Sequence, residues 1–392
     1  MTIEELKKQI ELEASKGAEQ TSIIDLVNYL IIFGYKSRAS DIHFQPTEVG
    51  INIRYRIDGI LYTFFTFPKY LQEEIISRIK VVSGLRTDEH NTPQDGRFKF
   101  RIPQENISFD IRVSVMPTYY GENAILRLLI QKDDIFVLEK LGFSEVDLKK
   151  VYEAIKKPYG MILVTGPTGS GKTTTLYSIL KVLNTPGVSI ITLEDPIEYS
   201  IPGITQIQVN PQVGLVFSKG LRAILRQDPN IIMVGEIRDQ ETADIAVNAA
   251  LTGHLLLSTL HTNDAPTALP RLLEMNIEPF LIASTVNIVI AQRLVRKLCD
   301  SCKKAKKLTN IEAKSLLEGI GEDLSLENIK KFKLYEIYEA QGCEICNQAG
   351  FMGRIGIFEV LVISKRIKEA IMKRYNSEQI KKIALEEGMS TM

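Results

Sequence analysis

Met161-Ile162-Leu163-Val164-Thr165-Gly166-Pro167-Thr168-Gly169-Ser170-Gly171-Lys172-Thr173 is the stretch whose reading decides the fold. Its first residues form a continuous apolar run, the signature of a strand buried on both faces. A glycine-rich loop follows, and a helical stretch begins near Gly171. The loop has the spacing G-x-x-x-x-G-K-T. Its glycines let backbone N–H groups curl around phosphate oxygens with no side chain in the way. The helix behind it turns its positive end to the same place. Lys172 is suited to neutralise β/γ-phosphate oxygens, and Thr173 to hold Mg²⁺ through its hydroxyl. Residues Gly166, Pro167, Thr168, Gly169, Ser170, Gly171, Lys172, Thr173 and Thr174 are thus the expected nucleotide-binding set, with ATP and Mg²⁺ as ligands. A chance glycine turn is the alternative, and the flanking strand and helix weigh against it.

Outward from this loop, residues 188–193, 231–234 and 255–260 are apolar runs of the same kind, with helical spacing between them, as at 239–251. Such alternation implies a parallel sheet covered on both sides. In an open parallel sheet, ligands bind outside the carboxyl ends of the strands. Glu194 and Asp195 follow one strand, Glu198 stands a short turn further on, Glu236 follows the next and His261 the last. Hydrolysis needs one carboxylate to position water and a second to help hold the Mg²⁺ shell. Each residue also has a plainer reading. Acids after strands cap helices, and His254 or His261 can be an ordinary hydrogen-bonded side chain.

Ahead of the loop the pattern differs. Residues 2–18 are charged and read as a helix or loose leader, and 22–33 carry a one-sided apolar period. Residues 51–57 alternate apolar and charged, and Asp58-Gly59 turns them into Ile60-Leu61-Tyr62. Residues 70–82 return to helical spacing, and 97–102 and 108–115 alternate again. This is a small α+β domain. The chain has 392 residues, Lys+Arg and Asp+Glu both total 48, and hydrophobic content is 44%. No overall charge argues for nucleic acid or acidic lipid. The apolar stretch at 26–35 is too short to cross a bilayer, and the first residues lack a signal core. The chain reads as cytoplasmic.

All four cysteines fall in the last quarter: Cys299, Cys302, Cys343 and Cys346. Two Cys-x-x-Cys knuckles commonly assemble a tetrahedral Zn²⁺ site, and nearby Lys297, Lys303 and Lys304 would favour thiolates. A redox pair is the rival reading.

At this point the residues resemble one family, the ring ATPases of type IV pilus assembly and type II secretion (the PilB/GspE type), from about residue 22 to the end. Ala39-Ser40-Asp41-Ile42-His43, Arg54-Tyr55-Arg56-Ile57-Asp58-Gly59 and Pro93-Gln94-Asp95-Gly96-Arg97 resemble signatures of its N-terminal domain. Ile191-Thr192-Leu193-Glu194-Asp195-Pro196-Ile197-Glu198-Tyr199 is similar to its Asp box, which implies that Glu198 activates water. Val234-Gly235-Glu236-Ile237-Arg238-Asp239 resembles its atypical Walker B, with Glu236 in the place usual for Asp. Thr252-Gly253-His254 through Leu260-His261-Thr262 resembles its His box, in which the second histidine senses the γ-phosphate; with these matches Glu194, Asp195 and His254 join the expected nucleotide-binding set.

The resemblance implies a RecA-like P-loop core preceded by a PAS-like α+β domain, with a tetracysteine zinc subdomain and a helical C-terminal tail. The implied division is 1–20 leader or helix, 21–131 N-terminal domain, 132–140 linker, 141–298 ATPase core, 299–350 zinc subdomain and 351–392 helical region. It further implies a homohexamer with ATP between the lobes and Arg97, Arg112 and Arg127 completing the site. The implied partner is an inner-membrane platform protein, which makes the chain peripheral to that membrane. Assembly and secretion members generally carry the cysteine quartet, and retraction members generally lack it. Family members generally extend further at both ends. A nucleic-acid translocase on the same core is the alternative function. It requires a basic or aromatic channel, and neutral charge with 7% aromatics lends it little support.

Overall fold

A computed structural model of the chain describes residues 2–17, 20–130, 137–319 and 337–392. It has two units, Met1–Lys132 and Asp133–Met392. Of the expected linker, 132–136 lies outside the described residues, and Leu138–Lys140 forms a short 3-10 turn.

In the first unit, alternating apolar and polar residues make an antiparallel sheet. Its strands are β1 (Ala39–Pro46), β2 (Gly50–Ile57), β3 (Ile60–Pro68), β4 (Gln94–Ile102), β5 (Ile107–Thr118) and β6 (Gly121–Leu129), in the order β3-β2-β1-β6-β5-β4. Asp58 and Gly59 both take positive φ, 48° and 90°, and close the β2–β3 hairpin. That is the two-residue turn which Asp-Gly favours. One face packs under the helix Ile23–Lys36, whose Leu26, Val27, Leu30, Ile31 and Phe33 recur at helical spacing and are buried with Ile42, Phe44, Ile53 and Tyr55. The helix lies close to the sheet. A Cβ on Gly34 would stand 2.8 Å from Ile42 Cδ1.

The opposite face is charged. Register places Arg97 opposite Arg112, Arg112 opposite Arg127, Arg127 opposite Asp41 and Asp41 opposite Arg56. Asp41 takes the two cations that flank it, Arg127 Nε at 3.0 Å and Arg56 Nε at 3.7 Å, and Arg97 reaches Asp110 at 3.1 Å. Like charges directly across a sheet are unfavourable by a few tenths to about 1 kcal/mol per pair. Three arginines in line are therefore a feature that stability alone does not favour.

The second unit is a seven-stranded sheet. Its strands are β7 (Gly160–Thr165), β8 (Ile190–Glu194), β9 (Thr205–Gln208), β10 (Ile231–Val234), β11 (Leu255–Leu260), β12 (Val286–Leu298) and β15 (Phe351–Val362). The order is β15-β12-β7-β11-β10-β8-β9, parallel throughout except for the β12–β15 pair. Between β12 and β15 lies a small ribbon of β13 (Lys304–Lys306) and β14 (Ile337–Glu339). Every residue of β7 is buried. Burying each of its large apolar side chains contributes about 1.5–3 kcal/mol, which makes a rigid platform for the loop that follows.

One expectation changes. The C-terminal stretch is not helical from 351; residues Phe351–Val362 form a strand paired with β12 over its length. Gly353 and Gly356 interrupt the alternation that would have marked it. The tail beyond is two helices, Lys365–Met372 and Ser377–Glu386, capped by Ser364 and Asn376 and separated at Arg374, whose φ is 54°. Among the described residues, no helix is long and apolar enough to cross a membrane.

Candidate functional site

Parallel register brings four strand ends to one edge. Thr165 lies opposite Leu260, and Val234 lies opposite Leu193 and Ser258. The loop leaving β7 therefore sits beside the segments that carry Glu194, Glu236 and His261. The loop itself is built for close approach. Gly166 has φ 144°, and a Cβ there would stand 2.4 Å from the Gln292 carbonyl. Gly171, with φ 89°, is the N-cap of the helix Lys172–Leu183. Pro167, Thr168 and Gly169 are exposed, whereas Ser170 is buried with its Oγ lacking a partner. A cradle without side chains at a helix N-terminus, with a spare buried hydroxyl, fits a phosphate chain.

Lys172 folds back over this cradle, donating to the carbonyls of Gly166 (2.9 Å) and Pro167 (3.1 Å). Burial holds its ammonium below the usual lysine range, partly offset by the negative charge of Glu236. Thr173 and Thr174 stand in the first turn of the helix, half-buried.

Glu236 is the centre of the arrangement. Its side chain is 11% exposed and held from two sides, by Arg238 Nη2 at 2.5 Å and His261 Nε2 at 3.1 Å. A carboxylate only accepts, so His261 presents Nε2–H to it. Hydrogen bonding to Glu236, with Asp195 also nearby, raises the Arg238 pKa. Beyond these residues a cavity of about 340 Å³ opens, lined by Asp195, Phe217, Ser218, Arg238 and Asp239 among others.

Glu194 is bonded within a separate network. It is 3% exposed, and its carboxylate accepts from Tyr177 Oη, from Thr192 Oγ1 (2.6 Å) and from Gln206 Nε2 (3.0 Å). Burial, then the charge of Glu194, pushes the Tyr177 phenol well above its ordinary value. The backbone N–H groups of Glu198 and Tyr199 also bond the phenol, so this network anchors the segment carrying Glu198. Tyr177→Phe leaves a buried carboxylate one donor short. The expected cost is about 1–3 kcal/mol of stability, measured by urea unfolding; an unchanged midpoint and slope would show that the bond carries nothing.

His254 does not belong at this edge. It precedes β11, its backbone carbonyl accepts from Gly160 N–H (3.1 Å), and its Nδ1 donates to Ala249 O (2.9 Å). It is separated from the loop by the length of a six-residue strand, roughly 20 Å at 3.3 Å per residue. A hydrogen-bonded closing residue at the far edge describes it. Arg97, Arg112 and Arg127 belong to the first unit, in the charged row described above. Sequence reasoning passed over Arg238 as a site residue, and Tyr177, Gln206 and Gln292 altogether.

The cysteines converge. The Sγ atoms of Cys299, Cys302, Cys343 and Cys346 lie within 4.8 Å of one another, with near pairs at 3.7, 3.8 and 3.9 Å. A tetrahedral ion with Zn–S of about 2.3 Å requires S···S of about 3.8 Å. Burial raises the Cys346 thiol, but backbone N–H groups of Cys343 and Gly350, each 3.2 Å from Sγ, together with the Cys343 and Cys302 thiols, outweigh it and bring the thiol to about 6, while burial pushes its neighbour Cys302 up to about 12. The lysines expected to favour thiolates are engaged elsewhere. Lys297 and Lys303 each bond Asp300 at 2.8 Å, holding that acid at about 2, and Lys304 lies in β13. Backbone donors do that work instead.

Comparison with known proteins agrees with this geometry. The family described as "Type II/IV secretion system protein" matches residues 16–392. The type IV pilus assembly ATPase PilB of Myxococcus xanthus is 45% identical over 97% of this chain and 66% of its own length. PilB of Thermus thermophilus is 46% identical over 98% of this chain and 42% of its own. The putative type II secretion system protein E of Escherichia coli is 45% identical over 92% and 71%. The chain thus spans less than two thirds of the Myxococcus and Thermus relatives. Among solved structures, the pilus retraction motor PilT with bound ADP is 26% identical with a TM-score of 0.61, covering 93% of this chain and 94% of that one. The Legionella pneumophila ATPase DotB, 21% identical at a TM-score of 0.62 over 93% and 92%, shares the fold. Phosphate loop, strand-end acids and near full-length match together place this chain in the type II/IV secretion system protein family.

Proposed function

We propose that the chain is a Mg²⁺-dependent ATPase whose hydrolysis drives a type IV pilus assembly or type II secretion machine. One observation carries the reading: Glu236 is held between Arg238 and His261 beside Lys172, at the mouth of a loop shaped for phosphates. The loop and Lys172 bind the β- and γ-phosphates, and Thr173 with Glu236 serve the Mg²⁺ shell, which supplies charge neutralisation. Glu198 positions the attacking water, and His261 reports the γ-phosphate to Glu236. Asp195 stays at the rim with Arg238.

We read the second unit as a RecA-like core and the first as a PAS-like module. In this reading the chain forms a homohexamer acting on an inner-membrane platform protein from the cytoplasmic side; the names of the relatives support its pilus assembly part. Arg97, Arg112 and Arg127 share one polar face of the first unit's sheet in a single register row, which supports reading them together as the arginines that serve nucleotide. In the second unit, the S···S spacing supports Zn²⁺ in the cysteine cluster. The fit is to a closed four-sulfur site, with no position for catalysis.

ATP turnover measured with and without Mg²⁺ and single-stranded DNA tests the reading. Mg²⁺-dependent turnover indifferent to DNA is expected. Turnover that requires DNA would transfer the core to a nucleic-acid translocase. Electron microscopy with a non-hydrolysable ATP analogue should show rings of six; a monomer at all concentrations would remove the ring motor.

A further inference from the structure

Gln292 lies in β12 and is 1% exposed, with its amide set against the phosphate loop. Its Nε2 donates to the Ser170 carbonyl at 2.6 Å, and its Oε1 accepts from Thr175 Oγ1 at 2.6 Å. The contact continues along the loop. A Cβ on Gly171 would stand 3.0 Å from Nε2, and one on Gly166 would stand 2.4 Å from the backbone carbonyl of Gln292. One residue from a neighbouring strand therefore abuts the beginning and end of the loop and the first turn of its helix.

We infer that Gln292 is a positioning residue for the nucleotide phosphates, acting through the Ser170–Gly171 peptide. That peptide is planar and trans, so its C=O and N–H point in opposite directions. Drawing the Ser170 carbonyl toward β12 turns the Gly171 N–H away from β12. Gly171 directly precedes Lys172, and its N–H is among those a G-x-x-x-x-G-K-T loop turns on its phosphates. Glycine at φ 89° has no Cβ to resist rotation of this peptide. An external clamp fixes what the residue itself cannot. The residue type follows from the task. The Ser170 carbonyl needs a donor and the Thr175 hydroxyl an acceptor, both on one planar group. An ionised glutamate supplies no donor, asparagine is a methylene short, and methionine fills the volume while offering neither bond.

The inference rests on the ATPase reading, and binding of a fluorescent ADP analogue with Mg²⁺ separates the two. Gln292→Met should weaken ADP on the order of 10-fold or more, the loss of one well-aligned N–H contact to a charged group. Thr175→Val, which frees only the acceptor side, should weaken it less. Gln292→Glu should bind poorly at pH 8 and regain affinity toward pH 6, because the protonated acid donates to the Ser170 carbonyl again; a purely space-filling role gives no such recovery. If Gln292→Met fails to fold, Thr175→Val and the pH profile of Gln292→Glu decide. Binding by Gln292→Met within about twofold of the parent, or a Gln292→Glu loss that does not vary with pH, overturns the inference alone. A parent chain that binds no ADP overturns the ATPase reading and this inference with it.

Discussion

Replacing Glu236 by glutamine should lower the turnover number for ATP by about 10²–10⁴-fold while leaving ADP affinity within a few-fold of the parent. The substitution keeps shape and removes charge. Arg238 and His261 both lose the anion that orients them, and Lys172 loses the negative charge that partly offsets its burial. Phosphate binding rests mainly on backbone N–H groups and the helix N-terminus, none of which involves Glu236. Loss of a carboxylate of the Mg²⁺ shell whose charge matters most as the transferring phosphate develops its own should lower turnover far more than ground-state affinity. Single-turnover kinetics beside ADP titration give both numbers. Turnover within about threefold of the parent, with the loop intact, would move the catalytic centre to Glu198 and leave Glu236 a structural partner of Arg238.

How much of this was legible beforehand depends on what each feature rests upon. The strands β7, β10 and β11 were readable because both their faces are buried, and continuous apolar runs have no other common use in so short a span. Strand ends then follow, and with them the placing of Glu236 and His261 at one edge. His254 was misplaced because resemblance groups it with His261, although one histidine precedes β11 and the other follows it. Gln292 was beyond reach for a different reason. Its contact with the loop exists only because β12 lies next to β7, and strand adjacency across a crossover leaves no mark in local pattern. The arginines show the intermediate case. Alternation puts Arg97 and Arg112 on a polar face, but only the register of three strands lines them up with Arg127. Phe351–Val362 escaped because its glycines fall where a strand pattern is usually unbroken.

Removing metal from the cysteine cluster should have the largest effect on stability. Metal analysis of the reduced chain should find about one zinc per chain, and a strong chelator should abolish order in the cluster. Structural zinc contributes on the order of 10 kcal/mol to folding in small isolated sites, and among the described residues few other bonds hold this cluster. Its visible bonds are a few backbone contacts, such as Cys299 N–H to Gly350 O at 3.0 Å, and the short β13–β14 ribbon. The loss should stop at a boundary. Next to the cluster, β12 and β15 pair over ten positions and join the core sheet through β7, so the phosphate edge should survive. Limited proteolysis after chelation should therefore cut within 299–350 first, with ADP binding retained. Cys346→Ser should mimic the chelator, since it removes the thiol that two backbone N–H groups already favour as a thiolate. Zinc-free reduced protein with an unaltered cleavage pattern would leave four cysteines at metal-binding spacing with no metal to explain them. Simultaneous loss of ADP binding would show instead that β12 transmits disorder from the cluster to the phosphate loop.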